Sequence, residues 1–282
     1  MTAREVLLAL AVKHQGDYGK MFSDIKKIVP LTEEDKQKAK SETKANYLTI
    51  IDADYPECFR NAYQPPLLLF YYGNIDLLFK PYRLTAIGSR HPDVYQSQTC
   101  YSLISNVEET MHKKAILVSG MAIGLDQQCM LAAKDAEAPI ISVIGSGIDN
   151  PFPSDNQGIY EYCKSGKGLV LSEYPGMTQA QPEHFLFRNR LLAALSKVLF
   201  VGGGKLHSGT SVTVRYALDE GKDILALPCN ISGNDLTNSL IKEGADPVLE
   251  AMDLIEPLLS NYGYDEEMKK ILLHKREKFS LP

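Results

Sequence analysis

Between Pro81 and Pro228 the chain repeats one pattern: a short aliphatic run, a small-residue turn, then a segment of helical length. The apolar runs fall at residues 84–87, 115–118, 140–144, 169–171, 198–201 and 224–227. Segments 95–112, 125–136, 156–164, 184–196 and 210–220 lie between them and read as helices. Runs of four or five apolar residues without polar alternation are strands buried on both faces. Their alternation with helices predicts βαβ units and a parallel sheet. In such a sheet every strand ends on one rim. The turns Gly88-Ser89-Arg90, Ser119-Gly120 through Gly124, Gly145-Ser146-Gly147, 172–176 and Gly202-Gly203-Gly204-Lys205 therefore share that rim, where open α/β sheets hold their ligands.

The flanks differ. Residues 6–12 read as a first helix rather than a signal peptide, since no small-residue cleavage site follows. Phe22, Ile25, Ile28 and Val29 keep helical spacing, and Thr32 stands as N-cap before Glu33-Glu34-Asp35. A small helical N-terminal domain over 1–45 is expected, then the α/β domain over 46–257. Residues 47–51 and 67–72 add two strand-like runs, and 258–282 reads as a charged amphipathic tail.

Composition narrows the class. With 44% hydrophobic and 23% charged residues the chain has enough apolar mass for a packed core, which excludes a disordered or collagen-like polymer. No uncharged apolar run is long enough to cross a bilayer, so no membrane association is expected. The five cysteines are odd in number, scattered and without a C-x-x-C pair, which suits reduced thiols in a cytoplasm better than a disulfide framework or zinc site. The net charge of −5 argues mildly against a nucleic-acid partner. Its distribution argues the other way: from His184 to Leu218 there is no acid, while Arg188, Arg190, Lys197, Lys205 and Arg215 contribute +5.

The motifs favour an anion site without a cofactor. A dinucleotide fold needs G-x-G-x-x-G after its first strand, and Gly88-Ser89-Arg90-His91-Pro92 lacks the later glycines. No P-loop, metal-ligand spacing or nucleophile elbow occurs. Arg90 ends the first strand, where a guanidinium grips phosphate in two-point fashion. Ser208, Gly209 and Thr210 open a helix with Lys205 upstream, offering hydroxyls and amides to an anion. Arg188 and Arg190 flank Asn189 and point about 200° apart on a helix; one is expected on a phosphate, the other bracing a loop or acid. Phe185 reads equally as a base-stacking ring or a core residue. Asp126 reads first as the cap of its own helix and second as a ligand contact.

In order, Gly88-Ser89-Arg90, Ser119-Gly120-x-Ala122-x-Gly124-x-Asp126, Gly145-x-Gly147-x-Asp149, Pro153 with Asn156, Ser172-Glu173-Tyr174, Phe185-x-x-Arg188-Asn189-Arg190, Ser208-Gly209-Thr210 and Asn238-x-Leu240-Ile241 resemble the DprA/Smf family of bacterial DNA-processing proteins. The resemblance covers about residues 45–250. It implies an extended Rossmann-like parallel sheet with helices on both faces and a non-enzymatic protein that binds single-stranded DNA. It further implies homodimers that load the recombinase RecA during natural transformation. Carried over by motif, Arg90 becomes the main phosphate grip, the glycine rim supplies N–H donors, and Ser208-Gly209-Thr210 adds anion contacts. The chain departs from the family at Ser154-Asp155 after Phe152-Pro153, at Gly202-Gly203-Gly204, at Leu186 for a proline and at Pro228-Cys229. A winged-helix domain of the kind that some relatives carry is not expected in this sequence. The alternative is a nucleotide phosphoribohydrolase of the LOG type or a nucleotide sensor. Gly202–Gly204 with Gly209-Thr210 is superficially similar to that enzyme's motif, but Val212 and Thr213 stand where its catalytic Glu belongs.

Overall fold

The computed structural model describes residues 2–231, 235–264, 266, 268 and 269. The expected amphipathic tail at 271–278 lies outside them. Three helices come first: α1 (Ala3–Lys13), α2 (Tyr18–Lys27) and α3 (Glu33–Glu42), with Thr32 closing a capping box on Asp35 as its position suggested. Then follow β1 (Asn46–Thr49), α4 (Glu57–Arg60) and β2 (Leu68–Gly73).

The repeating part runs β3 (Arg83–Ile87), α5 (Val94–Thr110), β4 (Ile116–Ser119), α6 (Leu125–Asp135) and β5 (Ile140–Val143). It continues with α7 (Gln157–Tyr162), β6 (Leu169–Ser172), α8 (Pro182–Leu195), β7 (Val198–Val201), α9 (Gly209–Asp219) and β8 (Asp223–Ala226). The chain closes with α10 (Leu236–Lys242), β9 (Asp246–Pro247) and α11 (Met252–Tyr262).

The strands form one sheet of order β1-β2-β6-β5-β4-β3-β7-β8-β9. From β6 to β9 every pairing is parallel, while β2 runs antiparallel to β6 and β1 antiparallel to β2. The fold is thus α/β and Rossmann-like with a helical N-terminus. Burial on both faces follows from the period of two along each strand. Val198 and Phe200 of β7 join the cluster containing α5, α6, α11 and α1, while Leu199 and Val201 join that containing α4, α8, α9 and α10. Through the buried run 7–12, α1 shares its core with the sheet.

The order of the strands decides where a ligand goes. The chain lays β3, β4, β5 and β6 outward on one side, then returns to place β7 on the other side of β3. Loops after β3 and β7 therefore diverge and leave a crevice between them at the strands' carboxyl ends.

Candidate nucleic-acid interface

That crevice is an open cavity of about 760 Å³, bordered by the loops after β3 and β7 and by the first turns of α8 and α9. Arg90 is exposed at its mouth, with its guanidinium carbon 5.5 Å from the centre of the Phe185 ring. At that distance a cation is held by the ring's quadrupole without losing its donors. Phe185 sits where it does because α8 starts at Pro182, which fixes the entry angle, and because Gly145 leaves room: a Cβ there would lie 2.7 Å from the ring. The ring is half-buried, with one side against Gly145 and Phe152 tilted beside it at 5.8 Å. Phe185 thus packs against the β5 loop with part of its ring and lines the cavity with the rest.

Across the cavity, Lys205 is exposed on the β7 loop and Ser208 caps α9. The hydroxyl of Ser208 accepts from the Ser211 amide and donates to the Lys205 carbonyl at 2.7 Å, and Thr210 donates to the Gly88 carbonyl at 3.1 Å. Both expected hydroxyls are therefore engaged within the protein: Ser208 closes the turn into α9, and Thr210 ties the start of α9 to the β3 loop. What α9 still presents is the pair of first-turn amides on Gly209 and Thr210, which have no intrahelical acceptor, at the positive end of the helix.

Behind this surface the polar groups are locked. Asp126 does not cap its own helix, whose N-cap is Gly124 at φ 83°. Its carboxylate accepts instead from the amides of Gly88 and Gly120, each at 3.2 Å, tying the ends of β3 and β4 to α6. Those two glycines consequently do not offer N–H donors to a ligand, contrary to the expectation for the rim. Burial pushes the Asp126 carboxyl upward, opposed by the nearby Arg188 charge and the amides it accepts. Arg188 is buried and donates to the carbonyls of Gly120 and Val143; burial lowers it to about 10, still charged at neutral pH. Gly120 separates the two groups, since a Cβ there would stand 2.7 Å from the guanidinium and 2.8 Å from the carboxylate.

Other expected contacts are corrected in the same way. Arg190 is fully buried and forms a two-point pair with Glu173 at 2.6 and 2.7 Å; it is the brace. Asn189 borders the cavity but its amide nitrogen donates to the Gly209 carbonyl at 3.0 Å and positions α9. Ser119 is fully buried and donates to the Ala86 carbonyl. The Gly147 amide donates to the Thr178 carbonyl at 2.8 Å, packing the loops after β5 and β6. Gly124 is needed twice over, for its positive φ and because Ser89 and Arg90 pass where a Cβ would stand, and this contact fixes the strand end that carries Arg90. Nor is the acid-free stretch one patch: Arg188 and Arg190 are internal, and Lys197 stands at the amino end of β7, away from the carboxyl-end rim. Phe152 and His91 border the cavity and were not singled out as contacts; their placement after β5 and β3 was the available signal. Of the departures noted, Leu186 and Gly204 border the cavity, whereas Ser154, Asp155 and Cys229 do not.

The sequence matches the DNA recombination-mediator protein A family over residues 46–259. The chain belongs to that family. It is 34% identical over 209 residues to the DNA processing protein DprA of Streptococcus pneumoniae, covering 73% of this chain and 72% of that one. It is 31% identical over 217 residues to the DprA of Bacillus subtilis, covering 76% and 71%. The X-ray structure of the S. pneumoniae DprA superposes with a TM-score of 0.74 at 27% identity, covering 92% of this chain and 97% of that one. The DprA of Helicobacter pylori, a structure described for its single-stranded DNA binding mode, gives a TM-score of 0.68 at 29% identity over 78% and 99%. Among the described residues no helix is long and apolar enough to cross a membrane, and no cluster of His, Cys, Asp or Glu could hold a metal ion.

Proposed function

We propose that this member of the family binds single-stranded DNA in the cavity between the β3 and β7 loops. The exposed Arg90 guanidinium over the Phe185 ring carries the reading, because it puts a phosphate grip and a base-stacking face at one opening. Lys205 and the first amides of α9 meet the same backbone from the far side. The binding described for the H. pylori relative supports this ligand. The protein then works as a cytoplasmic homodimer that holds incoming strands and delivers them to RecA in natural transformation, without catalysing a reaction. Support for the last point is local: among the described residues Asp126 is the acid bordering the cavity, and its carboxylate is spent on two backbone amides. A phosphoribohydrolase needs a free one.

Anisotropy titrations with oligo-dT and with duplex at low salt test the reading. Tight binding of the single strand, weak binding of the duplex, and about a tenfold or greater loss with Arg90→Ala are expected, since a charged hydrogen-bonded contact is worth about 1.5–3 kcal/mol. Wild-type affinity in Arg90→Ala, or release of free base from nucleoside monophosphates, would overturn it.

A further inference from the structure

The cavity does not contain all of the aromatic surface that α8 supplies. Phe185, Leu186 and Phe187 succeed one another around its first turns: Phe185 faces the cavity, Leu186 lies exposed on the crest, and Phe187 reaches the other flank. There the Tyr18 ring of α2 meets Phe187 at 5.7 Å, and Phe22 stacks on Tyr18 at 5.8 Å with the planes 9° apart. Lys26 closes the series with its ammonium 5.4 Å from the Phe22 centroid. Tyr18, Phe22 and Lys26 are spaced four apart, so one face of α2 carries all three.

Burial explains only part of this row. Tyr18 and Phe187 are half-buried and join α2 to α8, but Phe22 is 42% exposed, and Lys26 is exposed beyond it. The neighbouring acids are engaged. Asp17 caps α2 and pairs with Lys20 at 3.1 Å, while Asp24 is held by His14 at 2.8 Å and by Lys13. The strip therefore presents a ring with a cation over it and Lys27 alongside, a pattern that suits a base and its phosphate.

We infer that the Tyr18–Phe22–Lys26 face of α2 is a second contact for single-stranded DNA, taking the strand as it leaves the cavity over the crest of α8. The inference rests on the proposed function, since the strand must first occupy the cavity. One helix width, about 10–12 Å, separates the two surfaces. A very short oligonucleotide engages the cavity alone, whereas a longer one reaches α2.

The test compares oligo-dT of about three and about twenty nucleotides, lengths below and above the roughly 4–16 nucleotides of a usual single-strand site. Anisotropy is read on the full chain and on the double variant Phe22→Ala, Lys26→Ala. Both side chains are exposed, so thermal midpoints should match wild type. The expected result is unchanged affinity for the short oligonucleotide and about a tenfold loss for the long one. Lys26→Glu alone should weaken the long oligonucleotide selectively. Photo-crosslinking of a bromouracil-substituted long strand should label the peptide holding residues 18–27. Equal affinity of wild type and double variant for the long strand, with no crosslink to that peptide, would overturn the inference; it is the result expected if a protein partner covers this face. Arg90→Ala separates the two claims. Undiminished short-strand binding in that variant defeats the cavity reading, while the α2 variants report the strip.

Discussion

Arg90, Arg188 and Arg190 have three different fates, and the difference is set by what each guanidinium meets. Arg90 follows a strand end pinned by Gly124 and keeps its donors for solvent or ligand. Arg190 meets Glu173, a partner seventeen residues earlier in the chain, at the end of a neighbouring strand. The helical spacing of Arg188 and Arg190 told that they diverge; which carboxylate lay where was a matter of tertiary packing and was not legible. Arg190→Ala should cost about 3–5 kcal/mol in urea denaturation, because it leaves the Glu173 charge buried and unpaired. Arg90→Ala should leave the urea midpoint within error of wild type, so that its loss of DNA affinity reports on contact alone. A second buried acid gives a pH signature. Burial raises Glu108 on α5 from 4.5 to about 8. The folded chain keeps this proton through a window in which the unfolded chain releases it, so the contribution is complete below about 4.5 and is lost as pH rises toward 8. Across that window each pH step of one costs about 1.4 kcal/mol. In Glu108→Gln the urea midpoint should therefore fall less than that of wild type between the two ends of this window.

Among the elements, the start of α6 shows how a loop becomes part of a site without touching the ligand. Asp126 belongs to the first turn of its helix, where an acid is usually read as a cap or a dipole partner. Because Gly124 turns the chain at positive φ, the carboxylate swings toward the ends of β3 and β4 and takes their amides. Asp126→Ala orphans both amides and leaves Arg188 without its nearest counter-charge. A loss of at least about 3 kcal/mol is expected by urea denaturation, with Asn intermediate because its carbonyl still accepts one amide. The strands of the repeating part were legible to within a residue or two, since apolar runs between glycine turns leave few other choices. The helix read at 156–164 was less so. A tight turn at Ser154–Asn156 precedes α7, and a wider turn at Cys163–Lys167 follows it. The edge pair β1 and β2 was visible as strand, but its antiparallel docking on β6 depends on a partner about a hundred residues away.

For the molecule as a whole the question is how a chain of net charge −5 attracts a polyanion. The sequence carries a stretch of +5, and folding dismantles it: two of the five cations are internal and a third stands at the amino end of β7, away from the rim. Lys205 remains at the cavity, where it faces Arg90 from another part of the chain, while Arg215 is exposed on α9 outside the cavity lining. Attraction is therefore assembled by the sheet topology at the β3–β7 switch, not by any continuous basic segment. A diffuse field and a built slot predict different salt behaviour. For single strands, each phosphate neutralised contributes about 0.7 to the slope of log K against log salt. If the slot governs binding, Arg90→Ala should lower the magnitude of that slope by about 0.7, and Lys205→Ala by a similar amount. Arg215→Ala carries the same change of charge on an exposed face of the same domain, yet should leave the slope as in wild type. A common decrease in all three would instead mean that the field of the domain, rather than the geometry of the crevice, holds the strand.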